Sequence, residues 1–145
     1  MKAIKFIAIL AIFVCSTIGC SDDDDNGQIS SPNEITTTVT NGEWIVTLFK
    51  EDNVVQTDNF TGYTFTFAAN GDLSATNGSN TQTGDWSTYS DSGYTKLDLM
   101  FDALDGPFEE ISEDWRVISR TATKIELKHV SGGDGSIDFL TFEKN

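Results

Sequence analysis

From Gly42 to the end of the chain, apolar side chains recur at every second position within short runs. Because successive side chains of a strand point to opposite faces, each run predicts a strand with one face in the core and one in water. Apolar runs with helical spacing are no longer than about three turns. The sequence therefore predicts an all-β domain, and the alternation is clearest in Tyr63-Thr64-Phe65-Thr66-Phe67, Leu97-Asp98-Leu99-Met100-Phe101 and Lys124-Ile125-Glu126-Leu127-Lys128.

Turn residues divide this part of the chain into eight such runs. The predicted strands are 43–49, 62–68, 72–76, 81–89, 95–101, 114–120, 124–129 and 136–143. Asn70-Gly71 separates two of them and is typical of a tight hairpin, since both residues tolerate positive φ. Such a meander can form a sandwich or close on itself. We favour a closed, antiparallel up-and-down barrel of about eight strands, because closure removes both exposed edges.

One connection is longer than the others. Residues 102–113 exceed the length of a tight turn and contain Gly106-Pro107. We expect one helical turn near residues 108–111. The segment serves either as a plain connection or as a lid beside the mouth of the barrel.

The first 19 residues have the features of an export signal. Lys2 and Lys5 precede an apolar run over residues 6–14 that is too short for a permanent membrane span. Small residues then lead to Cys20, and this stretch resembles the lipobox of bacterial lipoproteins. An ordinary secretory peptide with an incidental Cys20 is the alternative. We expect residues 1–19 to be removed and a lipid on Cys20 to anchor the protein to the membrane.

The remaining chain is strongly acidic and has one cysteine. Removal of residues 1–19 leaves 126 residues with seven basic and 23 acidic side chains, a net charge of −16. Nucleic acid is therefore not an expected partner. Cys20 would have no cysteine to pair with, so stability must come from packing rather than from a disulfide. The length suits one domain, and we expect a monomer.

Residues 20–41 are expected to link the anchor to the domain. They are polar and carry too little apolar area to offset the entropy of ordering, so we expect a flexible tether here and the barrel over residues 42–145. The acidic stretch directly after Cys20 also resembles the export signal of surface lipoproteins in Bacteroidetes. The segment is thus either a solvated spacer or a signal for display on the outer membrane.

Two Gly-x-Trp units, Gly42-Glu43-Trp44 and Gly84-Asp85-Trp86, lie at or inside predicted strands. An inward Trp supplies a large apolar side chain, and the preceding Gly lets the backbone bend or another chain approach closely. The first unit resembles the Gly-x-Trp of lipocalins. As a whole, residues 42–145 resemble the lipocalin-like lipoproteins of Bacteroidetes, through these units and Tyr63-x-Phe65-x-Phe67 before Asn70-Gly71, Leu97-x-Leu99, Trp115-x-Val117 and Ile125-x-Leu127.

The resemblance implies a barrel whose lumen binds a small hydrophobic or amphipathic ligand. The candidate ligand-binding residues are Trp44, Tyr63, Phe65, Phe67, Trp86, Leu99 and Trp115, and the wider inward set adds Leu97, Phe101, Val117, Ile125, Leu127 and Phe139. These bulky side chains can instead fill a small barrel completely. The protein would then be a surface interaction module that binds a protein or glycan through its loops. An apolar cavity of several hundred cubic ångströms favours the first function and a filled lumen the second.

The sequence offers little for catalysis. His129 is the single histidine, at the end of a predicted strand, and we expect it on the surface. Without a second histidine or a free cysteine, neither a Cys–His pair nor a multi-histidine metal site can form. No Gly-x-Ser-x-Gly turn presents a serine nucleophile, and no spacing singles out a pair of carboxylates. We expect a non-enzyme with no cofactor and no bound metal.

Overall fold

The computed structural model describes residues 30–133 and 135–145, so the expected signal peptide, Cys20 and the acidic run lie outside the described residues. Within these ranges the chain forms nine strands, two α-helices and one 3₁₀ helix. In chain order they are α1 (Pro32–Val39), β1 (Glu43–Glu51), β2 (Val54–Val55), the 3₁₀ helix (Thr57–Phe60), β3 (Thr64–Phe67), β4 (Asp72–Thr76), β5 (Thr81–Asp91), β6 (Tyr94–Phe101), α2 (Pro107–Glu110), β7 (Asp114–Arg120), β8 (Lys124–Val130) and β9 (Ile137–Lys144). None of the described helices is long and apolar enough to cross a membrane.

Eight of the strands form a closed antiparallel barrel, which confirms the predicted fold class. From β3 to β9 each strand pairs with the next along the chain, and β1 joins β3 on one side and β9 on the other. The short strand β2 extends only the end of β1, where Lys50 pairs with Val55. Because β1 closes on β9, the backbone groups of both strands find partners within the sheet.

The alternation of apolar side chains at every second residue predicted the positions of the strands closely. The bounds of β4 and β7 are those predicted, and the other six predicted strands differ by at most two residues at either end. The expectation of an inward Phe139 is wrong, because Leu140 and Phe142 face the core and Phe139 is only half-buried. Register decides this point, since Leu140 pairs with the buried Leu127 of β8. The helical turn expected near residues 108–111 is α2.

Helix α1 corrects the expectation of a flexible tether as far as residue 41. Ser31 caps the helix: its hydroxyl accepts a hydrogen bond from the Glu34 N–H, and its own N–H donates to the Glu34 carboxylate at 2.7 Å. Pro32 follows at the first helical position, which suits a residue with no N–H to leave unpaired. Ile35 and Val39 lie four residues apart and are fully buried. These two side chains form an apolar stripe that packs into the core. The mostly polar composition of residues 20–41 as a whole does not reveal this stripe.

Side chains of the barrel hold α1 over one of its ends. The indole N–H of Trp44 donates to the Val39 carbonyl at 2.9 Å, and the hydroxyls of Thr36 and Thr88 lie 2.8 Å apart. The guanidinium of Arg120, at the end of β7, donates to three groups of this segment. They are the Ser30 hydroxyl at 3.1 Å, the Thr38 hydroxyl at 3.2 Å and the Glu34 carboxylate at 3.2 Å.

At Gly84 of β5 the backbone of β6 leaves no room for a side chain. A Cβ built on Gly84 would lie 2.1 Å from the Met100 carbonyl oxygen and 2.6 Å from the Phe101 Cα. The neighbouring Trp86 points inward, and its indole N–H donates to the Ala68 carbonyl at 2.9 Å. The second Gly-x-Trp unit therefore combines a close backbone approach with an inward Trp, as the sequence predicted.

We expect Gly84→Ala to lower the free energy of unfolding by about 3 kcal/mol or more, since the new methyl group meets backbone rather than a flexible side chain. Gly132→Ala is the matched control, because a Cβ there has open space around it. Urea denaturation followed by tryptophan fluorescence measures both. Equal losses for the two variants would contradict the close approach of β6.

Candidate functional site

The lumen of the barrel contains the side chains that the sequence assigned to it. Tyr63 is half-buried and packs against the core. The other candidate ligand-binding residues are buried: Trp44, Phe65, Phe67, Trp86, Leu99 and Trp115. So are Leu97, Phe101, Val117, Ile125 and Leu127 of the wider set.

Phe108 of α2 enters this cluster where β6 ends. Its ring centroid lies 5.0 Å from those of Tyr63 and Phe101, 5.4 Å from Phe60 and 6.1 Å from Phe65. Such distances correspond to direct contact between rings. Helix α2 therefore closes one end of the lumen with an aromatic plug.

The opposite end is closed by α1. Thr95, near the start of β6, donates from its hydroxyl to the Ser30 carbonyl just before the helix. Ile35 and Val39 of α1 are buried in the same hydrophobic cluster as Trp44. On the last strand, the Lys144 ammonium lies 5.7 Å from the centroid of the Trp44 ring, a cation–π contact.

Several residues of this core were not predicted from the sequence. They are Phe49, Phe60, Phe108, Leu140 and Phe142, all of them buried. Phe60 and Phe108 lie in connections, where a strand pattern gives no signal. The bulge between Val46 and Leu48 in β1 shifts the alternation and turns Phe49 inward.

Two grooves lie on the outer face of the barrel. The first, of about 490 Å³, runs over β3, β4 and β5 and is lined mainly by polar residues: Thr66, Asp72, Ser74, Thr83, Asp85 and Asp102. The second, of about 280 Å³, runs over β6, β7 and β8. It is lined by Tyr94, Lys96, Asp114, Arg116, Lys128, His129 and Val130. We call the second groove the basic groove.

The basic groove follows a row of cross-strand pairs. Lys96 lies opposite Arg116, and Arg116 lies opposite Lys128. Because Lys96 alternates with the buried Thr95 and Leu97, the row faces outward. The register continues it on both sides. We define the outer row as Tyr89, Lys96, Arg116, Lys128, Phe139 and Lys50, which cross β5, β6, β7, β8, β9 and β1 in that order.

The outer row concentrates positive charge in an acidic protein. It holds four of the nine lysines and arginines of the chain, against 23 acidic residues overall. The Lys96 ammonium lies 3.0 Å from both a carboxylate oxygen and the carbonyl of Asp114. Arg116, Lys128 and Lys50 form no ion pair within the described part of the chain. Three cations thus remain available on the surface.

An aromatic ring holds one of these cations in place. The guanidinium carbon of Arg116 lies 3.2 Å from the centroid of the Tyr94 ring, in the geometry of a cation–π contact. Stacking leaves the N–H groups at the edge of the guanidinium free to donate. Tyr94 is 37% exposed, so part of its surface also faces solvent.

His129 lies among carboxylates at one side of the basic groove. Its Nε2 is 3.6 Å from Glu113 and 3.7 Å from Asp114, and its Nδ1 is 3.8 Å from Asp138. Its ring packs on Trp115, and 17% of the side chain is exposed, so the histidine expected on the surface is partly buried at the edge of the groove.

His129, Glu113 and Asp114 offer three ligand atoms within 4.8 Å of one another, as a metal ion would require. Lys96 already supplies Asp114 with a positive charge at 3.0 Å. The only unconditional ion pair among these groups is therefore that of Asp114 with Lys96.

Comparisons with known proteins show the fold alone. No family model matches this sequence, and a search of curated proteins finds no match. The chain is similar to a DUF4847 family protein from Bacteroides vulgatus, with a TM-score of 0.52 and 14% identity over 77% of this chain and 97% of that one. A protein from Burkholderia xenovorans aligns at a TM-score of 0.42 and 19% identity, over 88% and 99% of the two chains. Membership of the lipocalin-like lipoproteins stays a prediction from the sequence.

Several carboxylates also lie close to one another at the end of β1. Burial, reinforced by the neighbouring Glu110 and then Asp138, raises the pKa of Glu51, although the Gln56 amide donates to Glu51 at 2.8 Å and opposes the shift. One carboxylate oxygen of Glu110 is buried and has no hydrogen-bond partner among the described residues. Negative charge at this end therefore opposes folding near neutral pH.

We expect Glu51→Gln to raise the midpoint of thermal unfolding at about pH 7 and to have little effect at about pH 4. A raised pKa means that the folded protein binds the proton more tightly than the unfolded chain. Stability is therefore lost as the pH rises above the ordinary value of 4.5, and removal of the charge restores it. Glu43→Gln, at an exposed position of the same strand, is the control. A lower midpoint for Glu51→Gln at neutral pH would show that the Glu51 charge stabilises the fold instead.

Proposed function

We propose that this protein is a lipid-anchored module of the bacterial cell envelope whose solid barrel binds a partner through its outer surface. The filled lumen carries the proposal. Aromatic side chains occupy the interior, α1 closes one end, and Phe108 of α2 closes the other. This packing supports an interaction module rather than a carrier of small apolar molecules.

The anchor is inferred from the sequence. Cys20 follows an apolar export segment, and nine residues separate it from Ser30, where the described chain begins. A chain of that length reaches at most about 35 Å, so the barrel would stay close to the membrane surface. The end closed by α1 would then be the end joined to the anchor.

Exposed apolar residues in the connections support contact with a partner. Val54 and Val55 are exposed in the short strand β2, and Leu104, in the connection between β6 and α2, is 95% exposed. A free monomer gains nothing from an apolar side chain placed in water. Connections held on a rigid scaffold commonly carry the residues that contact a partner.

We propose no catalytic role. The ring nitrogens of His129 face Glu113, Asp114 and Asp138, and the ring packs on Trp115. Carboxylates therefore face both ring nitrogens, and this environment supports a structural role for His129 where β7, β8 and β9 meet.

We expect an apolar fluorescent probe not to bind the folded protein in a saturable manner, because the rings already occupy the lumen. Phe65→Ala, which removes a fully buried ring, is the positive control, since the resulting cavity should admit a small apolar molecule. Tyr63→Ala should lower stability without creating a probe site. Tight binding of the probe to the unaltered protein, at about 8 kcal/mol, together with quenched tryptophan emission, would restore the ligand-carrier function.

We expect Cys20→Ala to move the protein from the membrane fraction to the soluble fraction of the cell envelope, because the lipid on Cys20 is the anchor we propose. Cell fractionation with metabolic labelling by a palmitate analogue measures both localisation and acylation. Ser16→Ala is the control, since it alters the same segment and leaves the thiol in place. An unlabelled Cys20 in the unaltered protein would refute the anchor.

A further inference from the structure

We propose that the basic groove binds an anionic polysaccharide that contains uronic-acid units and lies along the outer row. The inference rests on the proposed function, because it names the binding face of that module and the chemical class of its partner. Arg116 and Lys128 would bind the carboxylates of the glycan. The exposed part of Tyr94 would pack against a sugar ring.

The free cations favour an anionic partner. Arg116, Lys128 and Lys50 lie in one row and form no ion pair with the described residues, although acidic side chains outnumber basic ones across the chain. Lys96, Arg120 and Lys124 each have a carboxylate partner within 4.0 Å, and Lys144, which has none among the described residues, lies 5.7 Å from the centroid of the Trp44 ring. Anionic groups of a bound partner would give each of these three cations an ion-pair partner.

The spacing of the row suits an extended sugar chain. Arg116 and Lys128 are direct cross-strand partners, so their Cβ atoms lie about 5 Å apart on the same face. Neighbouring strands are about 4.8 Å apart, which is close to the length of one sugar unit. A glycan that crosses the strands would meet Arg116, Lys128, Phe139 and Lys50 at successive units.

The other walls of the groove favour a sugar over a more densely charged ligand. Asp114 lines the groove beside the cations, and its carboxylate, 3.0 Å from the Lys96 ammonium, has further lone pairs that can accept from sugar hydroxyls. Asp98 lies opposite Asp114, and burial together with Asp114 raises the pKa of Asp98, so this side already has excess negative charge. A uronate, with one charge for each unit, would keep its carboxylate near Arg116 and its hydroxyls near Asp114.

The shape of the barrel argues against a membrane as the partner. The outer row crosses six strands of a closed sheet, so it follows a convex surface. A flat bilayer would touch only part of this row. A flexible chain can follow the curve and stay within the groove.

The test uses the purified mature lipoprotein in neutral detergent and isothermal titration calorimetry. The probes are hexamers of galacturonate, mannuronate and guluronate, and the fully methyl-esterified galacturonate hexamer is the uncharged control. We expect at least one uronate hexamer to bind and the methyl ester not to bind. Arg116→Gln and Lys128→Gln should each weaken binding by about tenfold or more, the effect of losing a charged hydrogen bond.

Lys124→Gln is the matched control, because Lys124 lies on the same strand as Lys128 but outside the row and pairs with Glu126 at 2.8 Å. It should change the affinity less than twofold. Tyr94→Ala should weaken binding, whereas Tyr94→Phe should retain most of it, since the ring face makes the contact. Unfolding midpoints that match the unaltered protein would show that these surface variants fold.

Three results would overturn the proposal. They are absence of binding to every uronate hexamer, equal losses for Lys124→Gln and Lys128→Gln, and preferential, Arg116-dependent binding to vesicles of phosphatidylglycerol. None of these results would affect the interaction module itself, which fails only if the apolar probe enters the unaltered barrel. The two proposals can therefore be judged separately.

Discussion

Contact between aromatic rings in the lumen is the interaction on which this structure depends. Phe108 packs against Tyr63, Phe101 and Phe65, and Phe65 packs against Phe142 on the last strand. These contacts join β3, β6 and β9 to α2, the helix in the connection between β6 and β7. Without a disulfide in the described residues, ring packing is the main source of the burial that closes the barrel.

The aromatic packing of the interior directs attention to the outer surface. There the strand register, rather than any local motif, brings side chains together. Lys50 and Lys128 are far apart in sequence, yet both lie in the outer row because β9 pairs with β1 and with β8. The outward positions of a closed sheet thus form a continuous surface on which charge can be grouped.

Strands could be located from the sequence because their signals are local. Alternation over four or five residues and the Asn70-Gly71 turn are independent of the rest of the chain. Helix α1 had a local signal as well, in Ser31, Pro32 and Glu34, but the polar composition around it outweighed those three residues. In β9 either Phe139 or its neighbours Leu140 and Phe142 could face the core, and the choice of Phe139 from the sequence was wrong. Only the pairing of Leu140 with Leu127 of β8 distinguishes the two possibilities.

The sequence alone determined the strand positions, the inward faces of most strands and the two inward tryptophans of the Gly-x-Trp units, since each follows from the chemistry of neighbouring residues. Tertiary structure decided which residues outside the strands share the lumen, because Phe60 and Phe108 enter it from connections. It also decided which cations share a surface. Bulges at Val46/Leu48 and Val117/Ser119 set the register between strands, and a shift of one residue would turn each row to the opposite face.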